Sequence, residues 1–171
     1  MLVSWRNLRD SYELSKVRLP QNKRQIYGGR IMNHTQVGDI TEYEFILFCM
    51  KRNIPISKPL NNNLPYDCII EVNGKLLKIQ VKTGYDSPTK EAFTFNTRST
   101  SKNYSEVVNK NYDGLIDGFI TCYRELPNKF FYVPIELATN GNMTMYYGSH
   151  PTARQNWTEK YDFEKLIAGL V

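Results

Sequence analysis

Pro65-Tyr66-Asp67-Cys68-Ile69-Ile70-Glu71-Val72-Asn73-Gly74-Lys75-Leu76-Leu77-Lys78-Ile79-Gln80-Val81-Lys82-Thr83 is the stretch of this 171-residue chain that decides how the rest is read. Asn73-Gly74, flanked by apolar and β-branched residues, is the strongest two-residue signal for a hairpin. It predicts a strand over Cys68–Val72 and a returning strand over Lys75–Thr83. A two-residue turn fixes the register. Val72 then faces Lys75, Asp67 stands opposite Gln80, and Lys82 follows two residues on, on the same face as Gln80. Opposite Cβ atoms lie about 5 Å apart and diagonal ones about 7 Å, so one small ligand can reach all three side chains. The other face carries Cys68, Ile70, Val72, Leu77, Ile79 and Val81, with Lys75 as its polar exception. Apolar packing below and Asp, Gln and Lys above suit a reactive face. By pattern alone, the same three residues also fit an ordinary solvated surface.

The chemistry of those residues favours one task. Carboxylate and amide oxygens both ligate Mg²⁺, a hard cation that takes oxygen donors at about 2.1 Å. Such an ion polarises a phosphodiester oxygen and acidifies a bound water, while an ammonium group orients that water or stabilises developing charge. A helix predicted over residues 35–53 carries Glu42 near its start, where it can add a second carboxylate. Thr35 is the expected cap of this helix. Val37, Ile40, Leu47 and Met50 mark its apolar side, thickened by Phe45 and Phe48.

Beyond the hairpin, strands are expected over residues 92–98, 116–123, 130–133 and 143–147. A short helix is expected over 104–109, a brief turn opened by Pro134, and a terminal helix over 161–170. The sum is a mixed α/β layer fold, without internal repeats or low-complexity segments.

Hydrophobic residues make up 41% of the chain, enough for a packed core and too many for a disordered one. No apolar run approaches the roughly 20 residues of a membrane helix, and no basic-then-apolar leader opens the sequence. Cys49, Cys68 and Cys122 are odd in number and widely spaced, which fits a reducing, cytoplasmic setting and neither a disulfide framework nor a thiolate zinc site. The net charge of +5 has a definite location. Residues 1–31 hold seven basic and two acidic side chains, leaving 15 of each for residues 32–171. The expected organisation is therefore a basic, dispensable arm over 1–31, amphipathic through Trp5, Leu8 and Tyr12 and then a polar linker, followed by one domain over 32–171.

Pro65-Tyr66-Asp67 followed by Gln80-Val81-Lys82 resembles the PD-(D/E)xK nuclease motif, and the helix bearing Glu42 and the trailing mixed sheet fit that fold. Glutamine in the position usually held by Asp or Glu narrows the resemblance to the cyanobacterial group I intron-encoded homing endonucleases with a restriction-endonuclease-like fold. The resemblance runs from about Met32 to the C-terminus. It implies a mixed β-sheet flanked by helices and metal-dependent double-strand cleavage of DNA at specific sites. It further implies Asp67 and Gln80 as ligands of Mg²⁺ or another divalent ion such as Mn²⁺, Lys82 assisting the attacking water, and Glu42 completing the catalytic set. Breaking both strands with one site per chain calls for at least a two-fold dimer on a near-palindromic duplex. The resemblance extends this to a tetramer.

Two alternatives stay open: a structure-specific nuclease of the same fold, such as a Holliday-junction resolvase, and a DNA-binding module without cleavage. Lys90, Arg98 and Lys102, which flank the strand expected over 92–98, are candidates for phosphate contact. Gly114-Leu115-Ile116-Asp117-Gly118 echoes the LAGLIDADG motif but lacks its final acidic-Gly pair. Ile26-Tyr27-Gly28-Gly29 is too little for a GIY-YIG site, and two distant histidines give an HNH site no support.

Overall fold

The computed structural model describes residues 25–27, 30–61, 63–102, 107–148 and 156–169. The chain divides into two compact units, Met1–His34 and Thr35–Val171. In the first, the described part is an antiparallel hairpin of β1 (Gln25–Tyr27) and β2 (Arg30–Met32), with Ile26 facing Ile31. A hairpin therefore stands where the sequence suggested linker. The stretch through Trp5, Leu8 and Tyr12 lies outside the described residues.

The second unit is led by α1 (His34–Lys51), which starts one residue before the expected cap, so Thr35 lies within the helix. Its buried face is Val37, Thr41, Phe45, Phe48 and Cys49. Leu47 and Met50, expected inside, are 49% and 63% exposed. The two phenylalanines have more apolar surface to remove from water, and turning the helix to bury them carries Leu47 and Met50 outward. Phe45 and Phe48 meet Phe130 and Phe163 with ring centroids 5.0 to 5.9 Å apart.

After α1 come β3 (Ile56–Ser57), β4 (Cys68–Val72), β5 (Lys75–Thr83), β6 (Tyr85–Asp86), β7 (Ala92–Asn96), β8 (Ser99–Lys102), β9 (Val107–Lys110), β10 (Gly118–Cys122), β11 (Phe131–Pro134), β12 (Asn142–Tyr146) and α2 (Phe163–Ile167). The main sheet has the order β11-β10-β5-β4-β3. It is mixed, because β10 runs parallel to β5 while its other pairs are antiparallel. A second sheet has the order β12-β7-β6. The helix expected over 104–109 is corrected at its second half. Val107–Lys110 is a strand paired with Ser99–Lys102, as its two β-branched valines favour. The terminal helix is shorter than expected, with Asp162 capping it by accepting from the Glu164 N–H.

Alternation along β10 separates two cores. Ile120 joins Phe45, Phe48, Cys68, Ile70, Val72, Ile79, Val81 and Phe163 on the helix side of the main sheet. Phe119 joins Phe93, Phe95, Phe131, Val133, Met143 and Met145 between the two sheets. The hairpin turn has the conformation its sequence demands, with Asn73 at φ +53° and Gly74 at φ +75°, and the register Val72↔Lys75 to Cys68↔Ile79 matches the expected one.

Gly84 joins β5 to β6, where the chain leaves one sheet for the other. Its N–H donates to Cys122 O over 2.8 Å. A Cβ at this position would sit 2.6 Å from Cδ2 of the fully buried Phe93 and 2.7 Å from Cys122 O. Gly84→Ala should therefore cost about 1–3 kcal/mol. In urea the midpoint should fall with an unchanged m-value; an unchanged midpoint would show that this crossing has slack.

Candidate active site

The hairpin brings Asp67 and Gln80 into contact. Asp67 lies just past β4, where the regular ladder ends: its N–H donates over 2.8 Å to the O of Ile79, the residue paired with Cys68. Its carboxylate Oδ2 accepts the Val81 N–H at 2.7 Å and the amide of Gln80 through Nε2. An ionised carboxylate only accepts, so this is the one sense in which an amide can bond it. Among the described residues no hydrogen bond goes to Asp67 Oδ1. Gln80 is buried, at 9% exposure, rather than standing on an open face. Phe119 of β10 pairs with it in the sheet, and the second core covers that side.

Lys82 is also at the site but turns aside. Its Nζ donates to the Tyr112 hydroxyl at 3.1 Å and lies 5.3 Å from the centre of that ring. Tyr112 is buried and meets Phe119 edge to face, with centroids 5.4 Å apart. Glu42 is placed from the other direction. Thr41 and Thr83 join their hydroxyls over 2.7 Å, fastening α1, one residue before Glu42, to β5, one residue after Lys82. Thr41 Oγ1 already donates to Val37 O, so Thr83 is the donor.

Glu42 and Asp67 line one cleft of about 480 Å³, together with Asp39, Tyr43, Lys58 and Tyr66. Lys58 Nζ donates to Glu42 Oε2 at 2.8 Å and sits 4.9 Å from the Tyr43 ring centre. That bond raises the affinity of Lys58 for its proton. Burial pushes the Asp67 carboxyl up to about 6, and the nearby charge of Glu42 adds to this. The Val81 N–H, the charge of Lys82 and the Gln80 amide act in the opposite direction. The sequence did not place Lys58 or Tyr112 here: Lys58 comes from the loop before β4 and Tyr112 from a segment thirty residues beyond Lys82.

Lys90 and Arg98 are not among the residues that line this cleft. Lys90 and Arg98 bracket opposite ends of β7, a five-residue strand about 17 Å long, so they form no single patch. The Arg98 guanidinium donates to Asn140 Oδ1 at 2.9 Å. Lys102 ends β8, and its side chain lies outside the described residues. Asp117, within the LAGLIDADG echo, has a structural task. Its Oδ2 accepts the Lys78 N–H at 2.7 Å and its own N–H donates to Lys78 O at 2.9 Å, which starts the β5–β10 pairing.

The donor set fits a hard divalent cation. Asp67 Oδ1, Gln80 Oε1 and Glu42 are oxygen ligands of the kind such ions prefer, and a cation would relieve a carboxylate that burial disfavours as an anion. No group of three or more His, Cys, Asp and Glu suited to a metal occurs among the described residues. The set therefore rests on two carboxylates and an amide.

Without a cation, Asp67 should lower stability at neutral pH. Its folded-state value of about 6 stands above the ordinary 3.8, so the folded protein holds this proton more tightly than the unfolded chain. The associated stabilisation is complete below about pH 4 and is lost as pH rises through 6. Asp67→Asn keeps an acceptor for Val81 and removes the charge. In EDTA at pH 7 it should be more stable than the wild type by about 1–2 kcal/mol, after allowing for solvent screening. Urea unfolding at pH 7 and pH 4 tests this: the gap should narrow at pH 4, and its absence at pH 7 would contradict the burial argument.

The family model described as PD-(D/E)XK endonuclease matches residues 32–164. Among solved structures, the chain is similar to a bacterial homing endonuclease, I-Ssp6803I, with a TM-score of 0.66 and 23% sequence identity over 81% of this chain and 95% of that one. That likeness shows a restriction-endonuclease-like fold: a mixed sheet with helices against it. No curated protein sequence matches. With 133 consecutive residues inside the family model, the chain belongs to the PD-(D/E)XK endonucleases.

Proposed function

We propose that this nuclease is a site-specific homing endonuclease that hydrolyses DNA phosphodiesters on both strands with the help of a divalent cation. The observation that carries the reading is the Asp67–Gln80 contact across a hairpin of fixed register, with Lys82 on the same strand and Glu42 in the same cleft. Mg²⁺ or Mn²⁺, held by Asp67 and Gln80 with Glu42 completing the set, would polarise the scissile phosphate and acidify a water. The chain's own contribution is positional. The Val81 N–H and the Gln80 amide fix one Asp67 oxygen and leave the other for the ion. The Lys82 ammonium, which donates to the Tyr112 hydroxyl in the free protein, would orient the attacking water and meet developing charge. Hydrolysis leaves a 5′-phosphate and a 3′-hydroxyl. Two antiparallel cuts call for a homo-oligomer, at least a dimer with two opposed sites, on a near-palindromic duplex. The likeness in fold to a homing endonuclease supports this reading over a junction resolvase or an inactive binding module.

Digestion of a randomised duplex library in Mg²⁺, followed by sequencing of the ends, tests the specificity. One recurrent motif cut on both strands is expected, and sequence-independent preference for four-way junctions would replace this reading with the resolvase. Lys82→Ala should slow cleavage by roughly 10²–10⁴ while duplex binding survives; unchanged turnover would remove Lys82 from the mechanism.

Gln80→Glu should retain the fold and some cleavage, whereas Gln80→Ala should lose more. Single-turnover rates in Mg²⁺ decide this, and equal rates in all three proteins would show that residue 80 is no ligand.

A further inference from the structure

The cleft contains a cation that the nuclease motif does not include. Lys58 reaches it from the loop between β3 and β4, bonds Glu42 Oε2 at 2.8 Å, and lies above the Tyr43 ring. It shares the cleft with Asp39, Glu42 and Asp67 and, among the described residues, is the one basic residue lining it. Its side chain is 39% exposed and that of Glu42 is 24% exposed. A pair so open to water contributes only about 0–1 kcal/mol, too little to hold the fold together. The arrangement therefore has another use. A DNA backbone must approach three carboxylates to be cut, and its phosphates are repelled until positive charge stands between them. Lysine suits this because its charge is compact and its four-carbon stem is flexible, so the ammonium can change partners at little cost.

We propose that Lys58 is the resident counter-ion of the cleft: it holds Glu42 in the free protein and moves to a phosphate of the bound strand when a divalent cation takes the carboxylates. The proposal rests on the reading of Asp67 and Glu42 as the cation site. It makes Lys58 a DNA-contacting residue and, in the absence of DNA, a competitor of the metal.

Those two roles predict effects of opposite sign. With the full chain and a fluorescent duplex in Ca²⁺, a hard divalent cation that takes the same oxygen ligands, anisotropy titrations over a range of KCl should show weaker binding by Lys58→Gln, with a log–log salt slope shallower by about 0.9. Lys58→Arg should keep the wild-type slope. Calorimetric titration of the DNA-free protein with Mn²⁺ should show Lys58→Gln binding the ion about two- to fivefold more tightly. A structural role would weaken both interactions or neither. Asp67→Ala provides the control. If it binds Mn²⁺ as the wild type does, the cation site itself is misplaced. If it loses Mn²⁺ while Lys58→Gln leaves the slope and the Mn²⁺ affinity unchanged, the role of Lys58 alone is overturned.

Discussion

The Asp67 carboxylate, partly withdrawn from water and held at Oδ2 by the Val81 N–H and the Gln80 amide, is the interaction on which the rest of the site depends. Both donors come from β5, and so does Lys82. One strand thus supplies the backbone hold, the amide and the ammonium, in fixed order and with period-two alternation. Val81 sends its N–H to Asp67 while its side chain packs into the core beneath α1. A slip of one residue would exchange these roles and place Gln80 in that core. The Asn73-Gly74 turn is therefore as much a part of the site as the residues that touch it.

The helix is attached to the same strand. Phe45 and Phe48 anchor α1 against the apolar side of the hairpin, and the Thr41–Thr83 hydroxyl bond adds direction to that packing. Glu42 follows Thr41, so its approach to Asp67 is set by a hydrogen bond and an aromatic cluster. Each belongs to the fold's own stability. The carboxylates are the opposite case, because placing anions close together in a desolvated cleft weakens the fold that positions them.

What was legible in the sequence follows from how local each determinant is. The hairpin register could be read because a two-residue turn leaves no alternative, and the positions of Asp67 and Gln80 followed from it. The existence of α1 could be read, but its orientation could not. Leu47 and Met50 are apolar too, and what favoured the larger phenylalanines was the presence of Phe130 and Phe163, about eighty residues or more away. The strand at Val107–Lys110 depends on pairing with Ser99–Lys102, a contact no single window contains. Lys58 reaches the cleft because two residues of β3 pair with Ile69 and Ile70 on β4. Tyr112 reaches Lys82 by packing on Phe119. Neither position carries a pattern of its own.

Glutamine at position 80 is best understood as part of the same charge problem. The residue is buried, Phe119 covers its sheet neighbour, and its amide touches a carboxylate whose protonation burial already favours. A second acid here would have to ionise beside Asp67 in the same dry surroundings, and in the metal-free protein one of the two would hold a proton. The amide keeps an oxygen for a cation, uses its N–H to steady Asp67, and adds no charge to be neutralised. Lys58 offsets the negative charge of the cleft from the other side by pairing with Glu42. On the proposed reading, a neutral ligand within the sheet and a movable ammonium at its edge are two solutions to one constraint: acidic groups must be held ready, close together, before a cation arrives to balance them.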